Sequence, residues 1–218
     1  MPHDHSHNDH TPQTDGDEGA PSEFEILSRA IQELLEEKKL ITADQVRHQI
    51  EQYDDDYPNR GAKVVARAWT DPGFKTRLME NGNKALEELG ISMEADHLIA
   101  VENTPDVHNL IVCTLCSCYP RTLLGMPPTW YKNRNYRSRV VHEPRSVLAE
   151  FGTHISEDTA VRVHDSNADM RYVVLPMRPA GTEDWDEEQL EKILSRDHLV
   201  GVTVPVVKQE WSKKLAET

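Results

Sequence analysis

The sequence predicts an α+β chain, with a helical arm over residues 22–90 followed by a layered domain of short strands and interspersed helices over residues 91–208. Three observations carry this reading. Up to Gly90, apolar residues recur at helical spacing. Beyond His97 the apolar runs become short and β-branched, bounded by Pro, Asn and Asp. Helical pieces separate those runs, as a layered α/β or α+β domain requires.

Residues 1–21, "MPHDHSHNDHTPQTDGDEGAP", lack apolar residues that could form a core and read as a disordered tail. Its His3, His5, His7 and His10 could hold a divalent metal loosely, or simply be solvated. "SEFE" at Ser22 is a capping box, and Phe24, Leu27, Ile31, Leu34 and Leu35 form one apolar stripe behind it. "TADQ" at Thr42 opens a second helix carrying Val46 and Ile50. "GAKVVARAW" supplies a third, Asp71-Pro72 caps the next, and Gly90 closes the last, which carries Leu86 and Leu89. These helices could pack as a bundle. The loose, charged "EQYDDDYPNRG" equally suits an extended arm gripping another chain.

From His97, "HLIAVEN", "NLIVCTL", "AVRVHDS", "RYVVLP" and "HLVGVTVP" read as strands. "EPRSVLAEFG" and "DEEQLEKILSR" read as the helices between them, and residues 209–218 as a C-terminal tail. No internal repeat is visible. The chain has 24 basic and 38 acidic residues and a formal net charge of −14. That balance argues against unspecific binding to nucleic acid or an anionic membrane, which needs clustered Lys and Arg. With no apolar run near the ~20 residues of a membrane helix and no signal-peptide pattern, the expectation is a soluble, cytoplasmic protein.

All the cysteines lie in "VCTLCSCYP": Cys113, Cys116 and Cys118. A disulfide would leave one thiol over, and this spacing closes no useful loop. A redox C-x-x-C pair usually opens a helix directly after a strand, whereas "SCYP" runs into proline. Structural zinc needs a fourth ligand, for which His108 is a candidate. In the fourth reading, sulfurs at i, i+3 and i+5 on a tight turn meet at one metal, with the backbone nitrogens of Ser117 and Cys118 facing the same ion. That leaves one octahedral position open and favours an electron-poor, trivalent transition metal. Spacing alone leaves this and zinc both standing.

"VCTLCSCYP" resembles the metal loop of the nitrile hydratase alpha subunit in its cobalt form, which carries threonine where Thr114 stands. "GAKVVARAWTDPGFK", "AVENTPDVHN", "LGMPPTWYK", "YRSRVVHEPRSVLAEFG", "RYVVLPMRPAGTE" and "SRDHLVGV" resemble the same family, so the likeness runs from about Ser22 to Pro205. The resemblance implies a helical N-terminal arm and a layered α-β-β-α domain. It implies one Co(III) per alpha chain, held by Cys113, Cys116, Cys118 and the amide nitrogens of Ser117 and Cys118. Cys113 would remain a thiolate, Cys116 become a sulfinate and Cys118 a sulfenate. A beta subunit would supply arginines to the oxidised sulfurs, giving an αβ heterodimer or α2β2 assembly, and an activator protein would deliver the cobalt. The substrate would be a small nitrile, hydrated to its amide.

Among other residues, Tyr119 is a candidate catalytic hydrogen-bonding group or a core tyrosine. Glu102 is a candidate behind the pocket or an exposed carboxylate. Trp130 and Tyr131 read as packing residues, Asp165 and Arg171 as a structural polar pair, and the acidic helix from Asp186 as a solvated face. No arginine of this chain stands out as a partner for an oxidised sulfur. The chain also departs from the family pattern. Arg121 follows "CSCYP" where nitrile hydratases usually have tryptophan, and His164 replaces tryptophan in "VHDSN". Arg121 and Asn167 resemble the thiocyanate hydrolase gamma subunit, whose anionic substrate a nearby cation would favour. "VENTPDVHN" and the compact spacing before the loop resemble nitrile hydratase, which is the preferred reading. A non-catalytic cobalt- or zinc-binding module, such as a maturation factor, is the alternative from another class. It predicts a site with no open coordination position.

Overall fold

The computed structural model describes residues 23–42, 45, 58–93 and 97–207. The predicted N-terminal and C-terminal tails and the body of the helix after Thr42 lie outside those residues. The start of that helix is visible, because the Thr42 and Gln45 side chains each accept the other's backbone N–H.

Helix α1 (Glu23–Glu37) carries the predicted apolar stripe. Phe24, Ile26, Leu27, Ile31 and Leu34 remain exposed, Phe24 at 81%. The three helices that follow behave differently. In α2 (Pro58–Thr70), α3 (Pro72–Glu80) and α4 (Gly82–Glu87), the residues Val64, Val65, Ala68, Phe74, Leu78, Ala85 and Leu86 join one core with the strands. The helices that the sequence groups with the arm are therefore of two kinds, one with an open face and three built into the globule. Local chemistry sets their boundaries. Asp71 caps α3 by accepting from Phe74 N with Pro72 in the first turn, and Asn81 caps α4 by accepting from Lys84 N.

Strand β1 (His97–Glu102) pairs in parallel with β4 (Met170–Leu175), and β2 (Val107–Val112) pairs in parallel with β3 (Ala160–Asp165). Parallel partners need long crossovers. The one between β2 and β3 holds the metal loop, α5 (Arg121–Leu124), α6 (Thr129–Lys132), α7 (Arg134–His142) and α8 (Pro144–Glu150). The two ribbons pack through β2 and β4, with α3 and α4 against β1 and α8 against β3. This is the α+β, layered arrangement that the sequence predicts.

One predicted strand is a helix. "HLVGVTVP" contributes to α10 (Arg196–Val200), which follows α9 (Glu187–Glu191). Ser195 and His198 form a reciprocal cap at its start, and Gly201, in the left-handed region, ends it. Those end signals outweigh the β-branched run.

A buried polar chain fixes the root of β2. The His108 ring donates from Nε2 to the Gly201 carbonyl at 2.7 Å, so its Nδ1 is left to accept from Asn103 Nδ2 at 3.3 Å. Burial lowers the His108 pKa, consistent with this neutral ring. Asn103 Oδ1 accepts from Asn109 N and Nδ2, and Asn109 Oδ1 accepts from His164 Nε2 at 2.8 Å. Every link is satisfied, which makes the strand stiff where it feeds the loop. Gly201 shows how tight this is: at φ 89°, an added Cβ would sit 2.1 Å from the Asn109 carbonyl oxygen. Gly201→Ala should therefore destabilise the fold by at least about 2 kcal/mol. A thermal melt should fall by at least about 4 °C, and an unchanged transition would contradict this packing.

Candidate metal centre

β2 is buried from His108 to Val112 and delivers Cys113 to the end of its ribbon. Ser166 N donates to the Val112 carbonyl at 2.7 Å, and there the ladder stops. Side chains then organise the loop. Asp165, opposite Val112 in register, accepts from Thr114 N at 2.9 Å and from Thr114 Oγ1 at 2.5 Å. On the other side, α6 and α7 supply donors to carbonyls: Tyr136 Oη to Ile111, Arg137 Nη1 to Thr114 and Tyr131 Oη to Cys118. The Thr114 hydroxyl is thus held by Asp165 rather than offered to the sulfurs.

The resulting turn brings the three cysteine sulfurs within 4.8 Å of one another, with Cys116 Sγ 3.4 Å from Cys113 and 3.3 Å from Cys118. All three thiols are free. Their separations suit a shared ion: at a metal–sulfur bond of about 2.3 Å, right-angled ligands lie about 3.3 Å apart and tetrahedral ones about 3.8 Å apart. The two separations made by Cys116 fall nearer the right-angled value than the tetrahedral one, and all three sulfurs are close enough to share one ion. His108 is not a fourth ligand, since both ring nitrogens are engaged within the polar chain above. Among the described residues, the metal-holding group consists of Cys113, Cys116 and Cys118.

The electrostatics are those of a crowded thiol set. Hydrogen bonds from Cys118 and then Cys113 lower the Cys116 pKa to about 7, helped by the backbone N–H groups of Cys118 and Ser117. Burial first, and then the bond to Cys116, push the Cys118 thiol up to about 12. Arg171 on β4 acts in the opposite direction on Cys118. The sequence reading singled out no arginine as a partner for an oxidised sulfur; Arg171 acts on Cys118 through its charge. β4 is remote in sequence, and the residues around Arg171 carry no local signal of the contact. The Arg171 guanidinium also donates to the Asn167 carbonyl.

The remaining candidates fall in different places. Ser117 is half-buried within the loop. Tyr119 is buried beneath it, edge-on to Tyr131 at 4.8 Å, and its hydroxyl takes no hydrogen bond among the described residues. Arg121 is exposed at the start of α5, directly after the loop. Glu102 lies at the far end of β1, its carboxylate paired with Lys75 and its carbonyl accepting from Asn109 Nδ2. Trp130 and Tyr131 pack with Tyr136 and Phe151 as expected. Tyr131 also bonds to Cys118, a role that a packing reading misses; burial raises its pKa, so the phenol remains a donor.

The comparisons with known proteins point to one family. The family model described as "Nitrile hydratase, alpha chain" matches residues 22–203. The low-molecular weight cobalt-containing nitrile hydratase subunit alpha of Rhodococcus rhodochrous is 49% identical over 188 residues, 84% of this chain and 91% of that one. The thiocyanate hydrolase subunit gamma of Thiobacillus thioparus is 41% identical over 196 residues, 84% of this chain and 81% of that one. Among solved structures, a double mutant of the Fe-type nitrile hydratase from Comamonas testosteroni Ni1 superposes with a TM-score of 0.79 at 43% identity, covering 86% of this chain and 92% of that one. With the motif, the fold and nearly the whole described length in agreement, the chain belongs to the nitrile hydratase alpha-chain family.

Proposed function

We propose that this chain is the alpha subunit of a cobalt nitrile hydratase, adding water to a small nitrile to give the amide. The observation that supports it most directly is the convergence of the three sulfurs of Cys113, Cys116 and Cys118 on one point at the end of β2. Those sulfurs and the amide nitrogens of Ser117 and Cys118 would hold one Co(III) per chain, leaving a sixth position for substrate. When bound, such an ion supplies Lewis acidity that polarises the nitrile carbon. Cys113, buried, would stay a thiolate, while an oxidant of the dioxygen or peroxide class would convert Cys116 to sulfinate and Cys118 to sulfenate before turnover. The Cys118 oxygen would act as nucleophile, or as the base for an attacking water or hydroxide, beside the nitrile carbon. Water adds across the C≡N bond, its oxygen to carbon and its proton to nitrogen, and the product rearranges to the amide. We further propose that the buried Tyr119 hydroxyl serves the pocket; Arg121, in the nitrile reading, would turn to the partner, and Glu102, its carboxylate paired with Lys75, would act only from behind.

Alpha subunits of nitrile hydratases operate with a partner subunit. The open apolar face of α1 and Leu115, 87% exposed at the loop tip, are the surfaces through which we propose that a beta subunit docks. That subunit would bring arginines to the oxidised sulfurs in an αβ or α2β2 assembly, after an activator protein has delivered cobalt. No helix among the described residues is long and apolar enough to cross a membrane. A cytoplasmic location and the absence of nucleic-acid partners complete the proposal. A second reading, thiocyanate hydrolysis, rests on the exposed cation of Arg121 beside the loop.

The test is to co-express the chain with its partner in cobalt medium. We expect about one cobalt per alpha chain, from a single five-ligand site, and amide production from an aliphatic nitrile. Stoichiometric zinc without cobalt in an active complex would overturn the metal assignment. A metal-loaded complex with no turnover of nitrile or thiocyanate would favour the non-catalytic module.

A further inference from the structure

We propose that Tyr131 is a positioning residue for the metal loop, holding the Cys118 carbonyl so that the sulfur and the amide nitrogen of Cys118 converge on one point. Two tyrosines of the consecutive helices α6 and α7 make matched bonds. Tyr136 Oη donates to the Ile111 carbonyl and Tyr131 Oη to the Cys118 carbonyl, each at 2.8 Å. Their acceptors differ in how else they are held. Ile111 belongs to β2, whose backbone is already paired with β3. Cys118 lies beyond the ladder's last bond at Val112, and before the turn of α5, which begins by accepting at Tyr119 and Pro120. The peptide plane after Cys118 is therefore set by Tyr131. That plane fixes the backbone angle from which the Cys118 side chain hangs, two atoms from its sulfur. Reactive groups lose rate steeply when they are slightly misplaced.

This inference rests on the metal-loop reading above, and the test separates the two. Tyr131→Phe and Tyr136→Phe would be compared in the assembled, cobalt-loaded complex. Each removes one hydroxyl and keeps the ring, which for Tyr131 packs edge-on to Tyr119 and Trp130. We expect similar losses of thermal stability in the two variants. Only Tyr131→Phe should shift the sulfur-to-cobalt charge-transfer absorption and lower kcat, by roughly tenfold, equivalent to about 1.4 kcal/mol, with KM little changed. Loss of cobalt from a folded Tyr131→Phe chain, with Tyr136→Phe still loaded, would support the proposal equally. Identical spectra and rates in both variants, equal damage in both, or a Tyr131→Phe chain that no longer folds would overturn it. If the unsubstituted complex binds cobalt but hydrates no nitrile, the functional reading fails while the spectral comparison still decides the role of Tyr131.

Discussion

Cys118→Ala should abolish nitrile turnover, by on the order of a thousandfold or more, because it removes the group proposed to act on the nitrile carbon. Cys113→Ser should instead release the metal. The two outcomes differ because the sulfurs are held differently. Cys113 is 1% exposed at the end of β2, and its sulfur also accepts the Cys116 amide at 3.2 Å. It is an anchor, and a serine oxygen there is a harder, poorer donor to a soft-ligand site. Cys118 is half-buried on the open side of the loop. The same chemistry leaves a mass signature. In active enzyme, the peptide spanning Cys113 to Cys118 should carry two extra oxygens on Cys116 and, where the labile state survives handling, one on Cys118. Turnover with all three cysteines unmodified would contradict the mechanism. Metal analysis and a thermal melt of each variant separate loss of chemistry from loss of the loop.

What could be read from the sequence, and what could not, follows from the range of the interactions. Helix ends set by neighbouring residues were legible: the Asp71 cap with Pro72 lies where the sequence places it. The cysteine loop was legible because its three sulfur donors fall within six residues, and a turn alone brings them together. Contacts made through the β-ladders were not. Asp165 and Arg171 read as a polar pair. Asp165 also clamps Thr114, from 51 residues away, because Val112 and Asp165 share a register position. The effect of Arg171 on Cys118 likewise depends on where β4 lies, and Tyr131 gave only the signal of an apolar neighbour. "HLVGVTVP" was misread because β-branched composition was weighed above Ser195 and Gly201, which bracket it as a helix. The arm divides for the same reason: an apolar stripe shows which face seeks cover, not whether that cover comes from this chain or another.

Arg121 provides the experiment on substrate. In this chain it is exposed, immediately after Pro120 and the metal loop. Docking of a partner over the loop would cover it, and an unpaired cation so covered costs several kcal/mol. In a pocket built for a neutral nitrile, Arg121 should therefore turn towards an acidic group of the partner, and Arg121→Trp should leave nitrile turnover intact or better. In a pocket built for thiocyanate, the cation should line the approach, and Arg121→Trp should raise KM for the anion by roughly tenfold at low salt, the difference shrinking as salt screens the charge. The assembled complex, offered both an aliphatic nitrile and thiocyanate, should produce amide and release no carbonyl sulfide. Rapid release of carbonyl sulfide and ammonia with nitriles left untouched would assign Arg121 to an anion, and the chain to thiocyanate hydrolysis. If one cysteine loop can serve either chemistry, the cation that follows it in sequence, rather than the metal ligands, is where the two substrates should be told apart.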